Sequence, residues 1–542
     1  MQNTEMKQKI VNYFTALCDH YRPSHKEIAV CNYLFKWFQD LQKKNPEIKI
    51  ETLQTVKTND LEGFNIKVDI PATKGYENAP RTMLQSHMDM VWVTRDGHAK
   101  DEKVEWYIED DKMKAKYSSL GADDGTGIAI MQYIAKDSTA PHGPIRLLLT
   151  TDEECDMTGA AKLPASWSQG CKYCINIDGE MAGEAFVMSA GVGYSKGLME
   201  VKTEEKTSEY TTPLFINLSG GYGGHSGNEI ARNVKDITKD QGRANCLWWV
   251  NKMLLKAIEK NIDFKLGIIS HGKVYVEDDK VFTNDNKMNA IPNNGEAVVF
   301  LKNKEDVKAF EEAIHETFKE LKKWHPQEDK INLEVSTGRM TDYFQTLKFI
   351  NNNDRNKLLD LINNIPQGVF EMSDTPDVPK ATGIVVLNFK FDKTKNFIDY
   401  TVIATPRSCY QKTLDELKNK VRTAFKNAGL KEEMDDNAID FKEKNSFMIR
   451  QVAQPWSVDP NAKICKLCVE AWAKQSDKQM QLKSVHGGLE CAYFFTANPE
   501  LEIISVGQTI YDCHSVNETL YLDTFAPSAQ MIIDILDAIA KQ

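Results

Sequence analysis

The sequence predicts an α/β fold in which a mainly parallel central sheet, flanked by helices, is interrupted by an inserted α+β domain. Helical and strand patterns alternate from residue 1 to about 190, as they do in chains that form parallel sheets. Several apolar strand patterns end directly in acidic residues or histidine, which is how buried parallel strands end when they reach a pocket. The pattern changes at Gly191 and returns near residue 447, so the middle of the chain is expected to be the insertion.

Length and charge limit the class of protein. A chain of 542 residues exceeds the size of a single growing core, so two or three domains are expected. Charged residues of both signs make up 27% of the chain and the net charge is -11, which argues against a general nucleic-acid binder. The amphipathic amino terminus and the absence of an uncharged apolar run long enough to span a membrane predict a cytoplasmic protein with no membrane partner.

The catalytic domain is expected to begin with residues 1–190. Its helical patterns include KQKIVNYFTALCDHY and EIAVCNYLFKWFQDLQKK, and its strand patterns are FNIKVDI, TMLQSH, IRLLLTT and YCINID. The segment 447–542 is expected to complete this domain, because helical and strand patterns alternate again there. They are ICKLCVEAWAKQ, the strand LEIISVG and the helix APSAQMIIDILDAIA.

Residues 191–446 are expected to form an inserted lid domain. Charged strands of alternating polarity, such as GYSKGLMEVKTE, and one-sided amphipathic helices, such as DVKAFEEAIHETFKELKKW, suit an open-faced α+β layer. The acidic run EEMDDNAIDFKEKNS is predicted to be a solvated crossing between the domains.

The eleven cysteines include two CxxC pairs that offer an alternative metal site. Cys171 with Cys174, and Cys465 with Cys468, have the spacing of a four-sulfur zinc site. The second pair, however, lies in an amphipathic helical pattern and the first at the start of a strand. We therefore expect reduced thiols in the core of a cytosolic protein.

Acids and a histidine follow three of the strand patterns. TMLQSHMDM carries His87 and Asp89, LLLTTDEE carries Glu153 and Glu154, and CINID ends in Asp178. A buried carboxylate at a strand end is costly unless it is paired or binds a metal, so these strand ends predict a metal site. Each signal taken alone also fits a satisfied core residue or an acidic loop.

Two further motifs fit the same hypothesis. In LGADDGTGIA, Asp123 and Asp124 precede a helix, where they would either cap the helix or bind a cation. A carboxylate that bridges two cations typically holds them about 3.5 to 4 Å apart. His486 lies in VHGGLECAYF, and a lone histidine of this kind is either structural or a ligand.

The order of these motifs resembles that of the aminoacyl-histidine dipeptidases. SHMDM, LGADDGTGIA, TTDEECDMTGA, INIDGE, GGHSG, NAIP and VHGGLEC occur in sequence, and the resemblance runs from about residue 10 to the end. That family consists of co-catalytic zinc peptidases related to carnosinases, tripeptide aminopeptidases and aminoacylases. The resemblance implies that His87 and Asp178 bind the first zinc ion, Glu154 and His486 bind the second, and Asp123 bridges the two.

The resemblance also implies a mechanism. Carboxylates with two imidazoles suit Zn²⁺, with Mn²⁺ or Co²⁺ as substitutes, and a water between two such ions is deprotonated near neutral pH. Glu153 would act as general base for this hydroxide, and Asp89 would orient the ring of His87. His225 of GGHSG would stabilise the oxyanion, and the loss of such a donor typically slows turnover about 100- to 1,000-fold.

Substrate recognition is implied less directly. Asn289 of NAIP and Arg407 of TPRSC match lid positions that hold a substrate carboxylate, although by pattern alone they are a turn residue and a surface charge. His514 and Ser515 match a late pocket segment, and His514 is expected to bind substrate. The sequence departs from the family pattern where RNVKDITKDQ separates GGHSGNEIA from GRANC and where HGGLECA replaces HAGLECG, which puts substrate preference and lid geometry in doubt.

These expectations describe a cytosolic di-zinc dipeptidase that cleaves unsubstituted dipeptides in peptide turnover, with Xaa-His dipeptides as a candidate preference. The alternatives are a tripeptide aminopeptidase or an N-acyl-amino-acid deacylase on the same scaffold and, from a different class, an inactive peptide-binding relative. A homodimer is compatible with the sequence. With a lid of roughly 250 residues, such a dimer is not required to complete the active site.

Overall fold

The computed structural model describes residues 2–58, 61–95, 103–155, 157–227, 229–283, 289–337, 346–373, 378–433 and 443–542. The chain forms two compact units. Unit 1 comprises Met1–Met188, Trp456–Ser484 and Leu489–Gln542, and unit 2 comprises Ser189–Pro455 and Val485–Gly488.

The first segment of unit 1 contains four helices and eight strands within its described residues. The helices are α1 (Gln2–Cys18), α2 (Ile28–Lys44), α3 (Ala122–Lys136) and α4 (Thr158–Ala161). The strands are β1 (Lys49–Thr58), β2 (Leu61–Ile70), β3 (Thr82–His87), β4 (Trp106–Glu109), β5 (Lys112–Ala115), β6 (Ile145–Thr150), β7 (Tyr173–Gly179) and β8 (Glu184–Ser189).

Unit 2 contains a large sheet and four helices in the part that the structure describes. Its strands are β9 (Gly191–Glu204), β10 (Thr212–Ser219), β11 (Lys265–Ser270), β12 (Val274–Glu277), β13 (Lys280–Thr283), β14 (Gly295–Leu301), β15 (Asn332–Ser336), β16 (Phe349–Ile350), β17 (Gly368–Met372), β18 (Pro379–Gly383), β19 (Val385–Asp392), β20 (Phe397–Ala404), β21 (Arg407–Ser408), β22 (Lys431–Glu432) and β23 (Ser446–Ala453). Its helices are α5 (Cys246–Glu259), α6 (Lys304–Trp324), α7 (Asn352–Asn364) and α8 (Gln411–Asn427).

The chain then returns to unit 1. The strands of this last part are β24 (Trp456–Ser457), β25 (Gln481–Val485), β26 (Glu502–Gly507), β27 (Ile510–Tyr511) and β28 (Thr519–Tyr521). Its helices are α9 (Lys463–Trp472), α10 (Cys491–Ala497) and α11 (Phe525–Ala540).

The main sheet of unit 1 has the strand order β1-β2-β6-β3-β7-β26-β8-β24, with β25 beside β8. Strand β3 runs parallel to β6 and β7, and β26 runs parallel to β7, whereas β1 with β2, β2 with β6, and β26 with β8 are antiparallel. The centre of the sheet is therefore parallel and its edges are antiparallel. Because His87 pairs in register with Thr150, the carboxyl ends of β3 and β6 lie at the same edge.

Two cores explain why the central strands are continuous apolar runs. Every residue of β3 and β6 is buried. Leu84 and Leu147 enter one core, while Met83 and Leu148 enter another on the opposite face, as alternate residues of a strand must. Helices α1, α3 and α11 contribute to the first core and α10 to the second. The predicted α/β fold with helices flanking the sheet is confirmed.

Unit 2 is built on a sheet of fifteen strands whose longest strand, β9, pairs with β20, β16, β21 and β23. Since β23 pairs with β9, this unit extends to Pro455 rather than ending at residue 446. It also includes Val485–Gly488, a segment that the sequence placed in the catalytic domain. The acidic run EEMDDNAIDFKEKNS was predicted to cross between the domains. Its residues 434–442 lie outside the described residues.

The cysteines of both CxxC pairs are free thiols and are buried. Within the described parts of the chain, no helix is both long enough and apolar enough to cross a membrane.

Candidate metal centre and catalytic residues

The strand ends of unit 1 bring the predicted acids to one histidine. His87 ends β3, and its Nε2 lies 3.0 Å from Oδ1 of Asp123 and 3.2 Å from Oδ1 of Asp178, near the end of β7. His87 is almost fully buried. The parallel register of β3 with β6 and β7 therefore produces the convergence that the sequence predicts.

Asp123 lies between two groups of potential ligands. Its Oδ1 faces His87, and its Oδ2 lies 3.2 Å from Nε2 of His514. The same His514 nitrogen is 2.9 Å from Oε2 of Glu154. Each oxygen of Asp123 thus points to a different histidine, which is the arrangement that a bridging carboxylate requires.

The contacts of Asp124 are compatible with both roles that its position in the sequence allowed, capping the helix and binding a cation. Its Oδ1 accepts a hydrogen bond of 3.1 Å from the backbone N–H of Gly127, which satisfies a donor in the first turn of α3. Ligand atoms of Asp124, His87 and Asp178 also lie within 4.8 Å of one another.

The histidine that the structure places beside Glu154 is His514 and not the predicted His486. His486 belongs to unit 2, where its Nε2 lies 2.8 Å from Oγ1 of Thr382. His514 was expected to bind substrate, but its Nε2 contacts two carboxylates that were assigned to metal. His514 is therefore a candidate partner of Glu154, because the folded chain brings the turn before β28 to the end of β6. The assignment of His486 as a ligand stays a prediction.

Asp89 holds the loop that carries the two glutamates. Its carboxylate accepts the backbone N–H of Glu153 at 3.0 Å and that of Glu154 at 3.1 Å. It also accepts a hydrogen bond of 2.8 Å from the hydroxyl of Ser24 and lies 3.4 Å from Nδ1 of His87. Asp89 therefore lies beside His87, as predicted, and in addition fixes the backbone of the DEE loop.

The cluster has an excess of buried negative charge. Burial, followed by the charge of Asp178, raises the pKa of Glu153 well above its ordinary value. Burial is also the largest influence on Asp124, Asp178 and Glu154, and the pKa of each is raised. Burial alone would lower the pKa of His87, but the neighbouring carboxylates, Asp178 first among them, raise it. A cluster with these shifts favours the binding of cations.

The residues fit a metal centre by their chemistry as well as by their charge. Oε1 of Glu154 and Oδ2 of Asp124 are buried without a hydrogen-bond partner, and such oxygens are costly unless they bind a cation. Ligand atoms of His87, Asp123 and Glu154 form one group within 4.8 Å. Imidazole and carboxylate ligands suit Zn²⁺, Mn²⁺ and Co²⁺.

Two buried charged residues that the sequence reasoning missed support the centre. The guanidinium of Arg22 donates to the carbonyl oxygens of Met88 at 2.9 Å, of Asp89 at 3.0 Å and of Gly121. It therefore joins the loop after β3 to the loop before α3. The RPS motif that contains it carries no ligand-type spacing, so only the folded contacts identify it.

The second supporting residue is Glu518. Its Oε2 accepts the backbone N–H groups of Leu120 at 2.7 Å and Gly121 at 3.0 Å, and its Oε1 accepts those of Ala122 at 2.8 Å and Asp123 at 3.4 Å. A carboxylate in this position stabilises the N-terminal end of α3.

In unit 2, the contacts of His225 indicate a neutral imidazole ring that can donate a hydrogen bond from Nε2. Its Nδ1 accepts the backbone N–H of Gly227 at 3.1 Å, which places the ring proton on Nε2. Burial, followed by the charge of Arg407, lowers the pKa of His225 to about 4. The predicted oxyanion donor is therefore neutral at physiological pH and carries its N–H on Nε2.

Arg407 is a buried cation with few partners. It is 5% exposed, its Nη1 donates to the carbonyl of His486 at 3.4 Å, and its Nε has no hydrogen-bond partner. Burial lowers the pKa of Arg407 to about 10. A desolvated guanidinium of this kind favours an anionic ligand, in contrast to the surface charge that the pattern alone suggested.

The other two predicted residues have clear local roles. Asn289 is exposed, and its carbonyl accepts the N–H of Ser226 at 2.7 Å, next to the bridge between His225 and Ala290. The hydroxyl of Ser515 donates to the carbonyl of Asp512 and accepts the N–H of Asn517. Ser515 therefore caps the turn that presents His514.

Parallel strand ends that gather a histidine and several buried carboxylates are typical of a metal site, and metal ions bound in such sites can catalyse hydrolysis. Residues 83–538 match the model of a family described as "Peptidase family M20/M25/M40", and the chain belongs to this family. It is accordingly a metallopeptidase.

Individual relatives agree with this assignment. The chain is 26% identical over 543 residues to the cytosol non-specific dipeptidase of Escherichia coli (strain K12), with 98% of each chain covered. The crystal structure of an aminoacylhistidine dipeptidase from Vibrio alginolyticus has a TM-score of 0.79 and 23% identity, covering 98% of this chain and 96% of that one. The aminopeptidase PepT from Bacillus cereus ATCC 10987 has a TM-score of 0.57 and 14% identity, covering 98% and 99%. The two structures support the fold.

Proposed function

We propose that this protein is a cytoplasmic dipeptidase that uses two divalent metal ions, and that zinc is the metal. The observation that carries the proposal is Asp123, whose two oxygens face His87 and His514 within a cluster of buried carboxylates. The similarity to the cytosol non-specific dipeptidase of Escherichia coli supports the location and the dipeptide substrate.

The proposed ligand sets follow from the distances in unit 1. His87, Asp123 and Asp178 would hold one ion, and Asp123, Glu154 and His514 would hold the other. Such ions supply Lewis-acid polarisation of the peptide carbonyl and increase the acidity of a bound water. With no thiolate in either set, Mn²⁺ and Co²⁺ are expected to substitute.

Glu153 is the proposed general base. Its backbone N–H donates to Asp89 at 3.0 Å, which anchors Glu153 beside the cluster. Burial and Asp178 raise the pKa of Glu153, so its carboxylate has a high affinity for the proton of the attacking water. It would pass that proton to the amine that leaves when the peptide bond breaks.

Unit 2 is proposed to recognise the substrate. The Nε2–H of His225 would donate to the oxyanion, because Nδ1 is already an acceptor. Arg407 would bind the carboxylate of the dipeptide, since the buried guanidinium has an unused Nε donor. The exposed side chain of Asn289 would provide a further polar contact, and His486 would lie beside Arg407 as part of the same group.

The substrate class is proposed to be dipeptides with a free amino group. The three relatives are named as a non-specific dipeptidase, an aminoacylhistidine dipeptidase and an aminopeptidase. The Escherichia coli relative favours a broad dipeptide range, and Xaa-His dipeptides are proposed to lie within it. A homodimer is compatible with this proposal and is not required by it.

The test combines metal analysis with substrate assays. The purified protein, dialysed against zinc, should hydrolyse Gly-Xaa and Xaa-His dipeptides and lose activity when a chelator removes the metal. Cleavage of N-acetylated amino acids without cleavage of free dipeptides would favour a deacylase, and a preference for tripeptides would favour a tripeptide aminopeptidase. Binding of dipeptides without turnover by the zinc-loaded protein would identify an inactive relative.

A further inference from the structure

A second group of metal-binding side chains lies outside the proposed catalytic ligands. Potential ligand atoms of His25, Asp152 and Cys155 lie within 4.8 Å of one another. Nε2 of His25 is 2.6 Å from Oδ1 of Asp152. We call these three residues the His25 cluster.

The central member of the His25 cluster is held firmly. The backbone N–H of Asp152 donates to Oε1 of Glu27 at 3.0 Å, and its Oδ2 accepts the hydroxyl of Thr158. Asp152 is 4% exposed. Its carboxylate is therefore in place before any ion arrives, which reduces the conformational entropy lost on binding.

The other two members are accessible. The side chain of His25 is 36% exposed and Cys155 is exposed. Bonds of roughly 2.0 to 2.3 Å from zinc to nitrogen, oxygen and sulfur place two ligands of one ion about 3 to 4 Å apart. The potential ligand atoms of the cluster, within 4.8 Å of one another, are close to these separations, and solvent can supply a fourth ligand.

We propose that the His25 cluster binds a third divalent ion of the zinc class, separate from the two catalytic ions. An imidazole, a carboxylate and a thiolate form a softer ligand set than the carboxylate-rich catalytic centre, so the cluster should accept Zn²⁺, Co²⁺ or Cd²⁺ and reject Mg²⁺. Binding replaces the thiol proton of Cys155 and releases it to solvent.

The position of the cluster connects it to catalysis. Asp152 directly precedes Glu153, and Cys155 directly follows Glu154. An ion that joins Asp152 to Cys155 would restrain the loop between them from both ends. Excess zinc should therefore slow turnover through this loop, a consequence that rests on the proposed role of Glu153.

Zinc content and cobalt spectra of the whole protein test the proposal. After dialysis against excess zinc, the Cys155→Ser and His25→Asn variants should each hold one equivalent of zinc less per chain than the parent protein. The cobalt-loaded parent should show a thiolate charge-transfer band that Cys155→Ser lacks. Cys513→Ser is the matched control, because Cys513 lies in another acidic group with Asp123 and Glu180, and it should keep the band.

Equal zinc content in parent and Cys155→Ser, or a cobalt band that survives in Cys155→Ser, would overturn the third site. Inhibition by excess zinc that is the same in parent and variant would overturn its link to turnover. These results compare parent and variant metal content directly. A failure of the proposed dipeptidase function would instead appear as missing hydrolysis in both proteins.

Discussion

Replacing Glu518 with glutamine probes how the loop that carries Asp123 is held. In the structure each oxygen of Glu518 accepts two backbone N–H groups of residues 120–123. Glutamine keeps one oxygen, but its NH₂ group turns toward the other two donors, which remain buried without an acceptor. At about 1 to 3 kcal/mol for each unsatisfied buried donor, Glu518→Gln should lower the free energy of unfolding by about 2 to 6 kcal/mol.

The expected loss is large compared with the roughly 5 to 15 kcal/mol by which proteins are stable. At about 2 °C per kcal/mol for a domain of this size, the melting temperature should fall by roughly 4 to 12 °C. Because Asp123 belongs to the loop that Glu518 holds, the metal affinity should fall by about 10- to 100-fold, as for other residues that orient metal ligands.

Thermal unfolding followed by circular dichroism, together with metal titration of the chelator-treated protein, measures both effects. Glu500→Gln is the matched control, since it makes the same charge change at an exposed position, and its melting temperature should stay within 1 to 2 °C of the parent, as is typical of surface substitutions. If Glu518→Gln has the same melting temperature as the control and binds metal with the affinity of the parent, Glu518 does not hold the loop.

Four further substitutions separate the proposed roles. Glu153→Gln should keep its metal content and lose about 100- to 10,000-fold in kcat, the usual contribution of a general base; normal turnover would remove Glu153 from the mechanism. His514→Ala should lose about half of the catalytic metal while His486→Ala keeps it, and elemental analysis showing the opposite would restore His486 as the ligand. Arg407→Met should raise KM for dipeptides more than it changes kcat, because the lost group binds a carboxylate rather than the reacting bond; steady-state kinetics with an unchanged KM would refute the assignment.

Much of the centre was predictable because strand ends are local features. His87, Asp178 and the pair Glu153 and Glu154 each follow an apolar run, and the parallel register of β3, β6 and β7 places such ends at one edge. The resemblance implied that Asp123 bridges the two metal ions. Its contacts with both histidines support that role.

The identity of the second histidine was not predictable in the same way. His486 and His514 both lie in loops near the carboxyl terminus, and nothing in their spacing says which loop reaches Glu154. The fold decides this, because the turn capped by Ser515 presents His514 to Asp123 and Glu154. The segment around His486 instead packs with Thr382 in unit 2.

Local sequence patterns were enough to predict the α/β fold, the family resemblance and most of the acidic residues of the centre, since periodicity and strand ends are set by neighbouring residues. The folded chain was needed to show that Arg22 and Glu518 hold the ligand loops, that His514 lies beside Glu154 and that Arg407 is a buried cation. Burial and contacts between distant segments set these properties, and neither can be read from local spacing.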